Sequence, residues 1–159
     1  MKIAIVTGAA GFTGLNLVEA LLAAGYFVYA VVRPGSAHNK RIPTGPQLSM
    51  VEADLGDLAT LPEKITEKCD VFFHLAWQGD RDDFAVQYGN VDASLMALEI
   101  AVSLGCRRFI CTGSQAEYGL QQGAVTEETL PMPVNAYGAA KLAACYLTKR
   151  RAEQLGVAW

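Results

Sequence analysis

Apolar residues along this chain recur at two alternating spacings, and the alternation predicts the architecture. Short runs dense in β-branched and aromatic residues read as strands: Ile3, Ile5 and Val6 in the first, then 27–32, 48–52, 71–75 and 108–112. Between them lie stretches whose apolar positions return every three or four residues. The clearest covers 11–24, with Leu15, Val18, Leu21 and Leu22 on one side and Gly25 as its stop. A helical connection is predicted over 58–68, a long helix over 84–104 ended by Gly105, and another over 135–154 ended by Leu155-Gly156. From Arg33 through Pro43 and Pro46 the chain is polar and punctuated by proline and glycine, the pattern of a loop. Continuously apolar strands are buried on both faces, and helix-sized connections between strands require parallel pairing. With right-handed crossovers, those constraints leave a three-layer α/β fold on a doubly wound parallel sheet of five strands. Val157-Ala158-Trp159 resembles the opening of a sixth strand, and no repeat, low-complexity segment or second domain is visible.

Composition narrows the class. At 159 residues, 52% hydrophobic and 18% charged, the chain has one domain's length and ample apolar material for a core. A net charge of −3 gives no electrostatic footprint for nucleic acid, and Lys149-Arg150-Arg151 falls at a helix end, where cations favour the helix dipole. No apolar run reaches the ~18 residues of a membrane span, and the chain starts in a strand rather than a signal peptide. A cytoplasmic protein with no membrane or nucleic-acid partner is expected. Cys69, Cys106, Cys111 and Cys145 show no Cys-x-x-Cys spacing, and His38 and His74 form no ligand pattern with them, so reduced thiols and no metal are expected.

Three patterns carry chemistry. Directly after the first strand comes Gly8-Ala9-Ala10-Gly11-Phe12-Thr13-Gly14, glycines three apart. Gly8 suits a tight turn, Gly11 a close backbone approach to a pyrophosphate, and Gly14 the packing of helix on sheet, while the following helix starts beside the phosphates with open N–H groups. Second, Tyr137 and Lys141 stand four apart at the start of a helix and share one face. A phenol titrating near ~10 is a poor proton exchanger at neutral pH, and a neighbouring ammonium favours its phenolate form. Third, the strand ending Cys111-Thr112-Gly113 runs into Ser114 at the carboxyl edge of the sheet, where open α/β sheets hold their ligands. Ser114 is the candidate hydroxyl and Thr112 its competitor. The second strand ends Val31-Val32-Arg33-Pro34, with no acid to bind a ribose 2′-hydroxyl; Arg33 suits a 2′-phosphate instead, so NADP is preferred with NAD as the alternative. His38, Lys40 and Arg41 either add positive potential there or solvate the loop.

Together these residues resemble the extended short-chain dehydrogenase/reductase superfamily, the NAD-dependent epimerase/dehydratase family of nucleotide-sugar epimerases, dehydratases and ketoreductases, over the whole chain. The resemblance implies a Rossmann fold in which Tyr137 exchanges a proton, Ser114 polarises the substrate carbonyl, and Lys141 tunes Tyr137 and holds the nicotinamide ribose. It also implies cofactor contacts from the loop Gly8, Ala10, Gly11, Phe12, Thr13 and Gly14. Asp54-Leu55 matches the family's Asp-Leu pair at the adenine, His74-Leu75-Ala76 its His-x-Ala run past the ribose and pyrophosphate, and Asn90-Val91 its Asn-Val pair. Asn90 would support the catalytic face, and His74 itself reads as a packed strand residue. Thr112 and Arg33 complete the cofactor set.

Two departures direct the expected activity. Gln115 and Ala116 stand where 4,6-dehydratases carry Asp-Glu, and neither relays a proton, which leaves reductase or epimerase. The loop from Gly113 to Gly119 is most similar to that of reductases acting on nucleotide-linked 4-keto-6-deoxysugars. A dinucleotide-sensing regulator is the non-enzymatic alternative, although such proteins commonly lose the Tyr-Lys pair. Family members are about twice as long, so residues 1–159 are expected to be the cofactor-binding domain of a longer, homodimeric protein whose substrate lobe lies outside this sequence.

Overall fold

The computed structural model describes residues 1–159. Five strands, β1 (Ile3–Thr7), β2 (Phe27–Val32), β3 (Leu48–Glu52), β4 (Val71–His74) and β5 (Arg108–Cys111), form one parallel sheet in the order β3-β2-β1-β4-β5. The chain leaves β1 toward β2 and β3 and returns on the other side through β4 and β5. The strand order therefore reverses between β1 and β4, and a crevice opens at their carboxyl ends.

Side chains alternate between the two faces of this sheet. Ile5, Tyr29, Phe72 and Phe109 align across four strands and form the larger core with Ala93, Ala97, Leu98 and Ala101 of α3 (Phe84–Ser103). Ala4, Val6, Val28, Ala30 and Val71 face the other way, onto Val18 and Leu21 of α1 (Phe12–Ala23). The Phe72 and Phe109 rings, both fully buried, lie 5.8 Å apart. Each such ring buried contributes roughly 1.5–3 kcal/mol, so this pair fixes β4 against β5. Helix α4 (Ala136–Leu155) packs on α3, joining Ala140 and Ala144 to Val91.

β2 and β3 coincide with the predicted strands, and β1, β4 and β5 end within a residue of prediction. The connection expected as one helix over 58–68 differs. It is a 3₁₀ turn over Leu55–Thr60 followed by a single helical turn, α2 (Leu61–Lys64). The Asp54 carboxylate caps the Leu55 N–H at 2.7 Å, starting the turn earlier, and Ile65 adopts extended backbone while becoming fully buried. Short 3₁₀ turns also occupy Ala37–Arg41 and Gln115–Glu117, within stretches expected as loop. At the far end Ala158 makes a single parallel bridge to Arg108 of β5.

Candidate dinucleotide and proton-transfer site

A cavity of about 310 Å³ runs along the carboxyl ends of the strands. β1 contributes Thr7 and Gly8, β2 Arg33, β3 Asp54 and Leu55, and β4 Ala76. The glycine loop forms its wall. Gly8 has φ +68°, and a Cβ there would stand 2.8 Å from the Ala76 nitrogen. Gly14 packs α1 directly on the loop, since a Cβ at this position would overlap the Gly8 carbonyl oxygen. Gly11 has ordinary extended backbone, φ −75° and ψ 172°, and caps α1 with no side-chain hydrogen bond. The N–H groups of the first turn are left for an anion, which the helix dipole also favours.

The candidate cofactor residues divide by position. Gly8, Ala10, Gly11, Arg33, Asp54, Leu55 and Ala76 line this cavity. Phe12 projects outward, 87% exposed, and Thr13 is exposed beside it. Neither is among the residues that line the cavity. Arg33 is exposed at the mouth and has no carboxylate partner. The Leu55 N–H, implied by the resemblance to meet adenine, is already donated to Asp54, whose second oxygen remains open.

Thr7 locks the floor. Its hydroxyl oxygen accepts from the N–H groups of Leu75 (3.2 Å) and Ala76 (3.3 Å), which directs its proton to Nδ1 of His74 at 2.9 Å. His74 is then neutral, with its ring proton on Nε2, an atom buried without a protein partner. Burial, with the Lys141 charge behind it, pushes the imidazole down to about 3, so His74 is a packed neutral strand residue. The backbone N–H groups of Leu75 and Ala76 are spent on Thr7, which leaves carbonyls and contact surface for any ligand.

The proton-transfer candidates assemble at the start of α4. Asn135 caps this helix through the Gly138 N–H (2.8 Å), and Arg81 and Asp82 accept from Tyr137 N–H (2.8 Å) and Ala136 N–H (3.3 Å). Tyr137 is half-buried with its hydroxyl unpaired by protein, and the Arg81 guanidinium lies 5.2 Å from its ring centre. Lys141, only 6% exposed, donates to the Thr112 carbonyl at 3.0 Å, and burial pushes its pKa below the usual lysine range. Ser114 caps the 3₁₀ turn, accepting from Ala116 N–H at 3.2 Å while its own N–H donates to the buried Glu117 carboxylate at 2.6 Å. Its hydroxyl proton stays free.

Several residues in this region carried no candidate role in the sequence. Glu117 was detectable from the Ser-x-x-Glu spacing of a capping box. Trp77 follows no motif. Its ring edge meets the Tyr137 ring at 6.0 Å between centres, and the Lys141 ammonium sits 3.9 Å over its face. The Trp77 indole N–H donates to Gln87 at 2.9 Å, and Gln87 in turn donates to the Asp80 carbonyl at 2.7 Å. Asn90, expected as a cofactor contact, is engaged with the protein backbone. It is 2% exposed and lines neither cavity, holding both the N–H (3.1 Å) and carbonyl (2.9 Å) of Gln78. Its contribution is to fix the loop that carries Trp77.

A parallel sheet whose reversal point opens beside a glycine turn and an uncapped helix is the Rossmann-like, nucleotide-binding class of α/β protein. Within that class the chain belongs to the NAD dependent epimerase/dehydratase family, whose sequence profile matches residues 4–159. It is 32% identical over 151 residues to UDP-arabinose 4-epimerase 1 of Arabidopsis thaliana, covering 86% of this chain and 36% of that protein. It is 33% identical to a 3 beta-hydroxysteroid dehydrogenase/Delta 5-->4-isomerase of Mycobacterium tuberculosis, covering 80% of this chain and 36% of that one. The crystal structure of UDP-glucuronic acid 4-epimerase from Bacillus cereus in complex with NAD superposes with a TM-score of 0.80 at 29% identity, covering 99% of this chain and 54% of that chain. The chain thus spans little more than a third of these curated relatives and about half of the solved one.

Proposed function

We propose that this chain is the cofactor-binding domain of an oxidoreductase that prefers NADP to NAD and reduces the 4-keto group of a nucleotide-linked sugar. The observation that carries the reading is Lys141. Its ammonium is almost fully buried with one carbonyl and an aromatic face as partners and no carboxylate in ion-pair range. Desolvating a cation without a carboxylate partner is costly, and such buried charges are common at functional sites.

The residues fit a dinucleotide. The Gly8 turn leaves no room for a side chain, the cavity follows the strand ends, and the first turn of α1 is open to a pyrophosphate. Gly8, Gly11 and the α1 N-terminus would hold the phosphates, Asp54 the adenine and Arg33 a 2′-phosphate. When bound, the nicotinamide supplies the hydride. Tyr137 delivers the proton to the carbonyl oxygen, Ser114 donates to that oxygen through its free hydroxyl proton, and Lys141 holds the charge balance beside Tyr137. The unpaired Arg33 supports NADP.

The names of the relatives favour a second reading, a 4-epimerase that oxidises and re-reduces its substrate with the same residues. Incubating the full-length protein and NADPH with a panel of nucleotide-linked 4-ketosugars separates the two. The first reading requires net NADPH oxidation with at least one of them; epimerisation without net oxidation would replace it. No helix is long and apolar enough to cross a membrane, and all four cysteines are free.

A further inference from the structure

Trp77 borders two cavities at once. On one side is the strand-end cavity of about 310 Å³; on the other is a pocket of about 70 Å³ formed with His74, Thr112 and Lys141. The larger cavity ends at Trp77, and neither Tyr137 nor Lys141 is among its lining residues. The proton-transfer residues lie beyond the indole.

The ring is fixed at three points. Its N–H donates to Gln87, which is 1% exposed and whose amide orientation is set because its nitrogen donates to the Asp80 carbonyl. One face carries the Lys141 ammonium at 3.9 Å, close enough for a strong cation–π contact in a desolvated site. Its edge abuts Tyr137. The neighbouring Gln78 is gripped at both backbone polar groups by Asn90, so the backbone beside Trp77 is held and the indole can move only about its own side-chain bonds.

From this geometry we propose that Trp77 is a gate within the dinucleotide site. With the indole on Lys141, the site accepts an adenosine diphosphate alone. The nicotinamide half reaches Tyr137 and Lys141 only when the indole leaves the lysine face. The adenosine half thus binds without rearrangement, whereas the complete dinucleotide must break one cation–π contact and one hydrogen bond. Trp77 thereby sets the ratio of the two affinities, acting through Lys141 as a positioning residue. This inference rests on the dinucleotide reading above.

The test uses the full-length protein carrying 5-fluorotryptophan, with the Trp77 fluorine resonance assigned by its loss in Trp77→Phe. ADP at saturation should leave that resonance near its free position, and NADP should move it to a new one. Calorimetry should show Trp77→Ala and Trp77→Phe binding NADP more tightly relative to ADP, by roughly 5- to 30-fold for alanine and less for phenylalanine, which keeps an aromatic face for Lys141. An equal response of the resonance to both ligands, or an unchanged NADP/ADP affinity ratio in both variants, overturns the gate while leaving dinucleotide binding intact. Failure of the wild-type protein to bind either NADP or NAD overturns the dinucleotide reading and the gate with it.

Discussion

Burial makes the His74 imidazole a base that the native state leaves unprotonated down to about 3, whereas an unfolded histidine titrates near ~6.5. Between those values the unfolded chain binds the extra proton. The His74 contribution to stability is therefore complete above about pH 6.5 and is lost as pH falls toward 3, at up to about 1.4 kcal/mol per pH unit. Denaturant titrations of wild type and His74→Phe at several pH values in this window check it. The wild type should lose stability more steeply on acidification, and parallel curves would show that the ring is not desolvated. Arg33 supports a second prediction at this scale. Arg33→Ala should weaken NADP binding by about 1–3 kcal/mol and barely change NAD binding, and equal losses would remove the 2′-phosphate assignment. The sequence makes the glycines, Ser114, Tyr137 and Lys141 legible because their chemistry is local: a turn, a cap, one helical spacing. Trp77, Gln87 and the grip of Asn90 on Gln78 are not legible, because a loop and a helix ten or more residues away must first meet.

Helix α4 approaches the Ser114 turn only because residue 138 lacks a side chain. A Cβ there would overlap the Ala116 carbonyl oxygen, a backbone atom that cannot swing aside. Gly138→Ala should push α4 outward, destabilise the fold by about 1–3 kcal/mol, and separate Tyr137 from Ser114. Denaturation midpoint and turnover, measured on the same preparation, check this; normal stability with wild-type turnover would contradict the packing. At the same element, Tyr137→Phe keeps the ring and removes the exchangeable proton, so cofactor binding should persist while turnover of the full-length enzyme falls roughly 10²- to 10⁴-fold. Wild-type turnover would remove Tyr137 from the mechanism. Element boundaries follow the same division between local and distant causes. β2 and β3 are bounded by local signals and match their predicted limits, but the 58–68 helix is redrawn by the Asp54 cap and by the burial of Ile65 in a core built from other strands.

At the scale of the whole molecule, this chain is about half as long as the solved relative it superposes on, and the substrate's sugar is proposed to meet residues outside it. Phe84, Tyr88 and Met96 on α3 and Tyr146 and Leu147 on α4 are exposed apolar side chains. Everything proposed for the catalytic edge depends on a dinucleotide resting against the glycine loop, and Gly11 is the place to challenge it. Its extended backbone is open to other residues, and an added Cβ would meet the Gly8 carbonyl oxygen at 3.2 Å, a tight contact at a helix N-cap, so Gly11→Val should fold with a modestly lowered denaturation midpoint. The valine would project where the loop lines the cavity. Calorimetric titration of the full-length protein with NADP, at a temperature where both proteins are fully folded, should give clear binding for wild type and none measurable for Gly11→Val; wild-type affinity in a folded Gly11→Val protein would contradict the account.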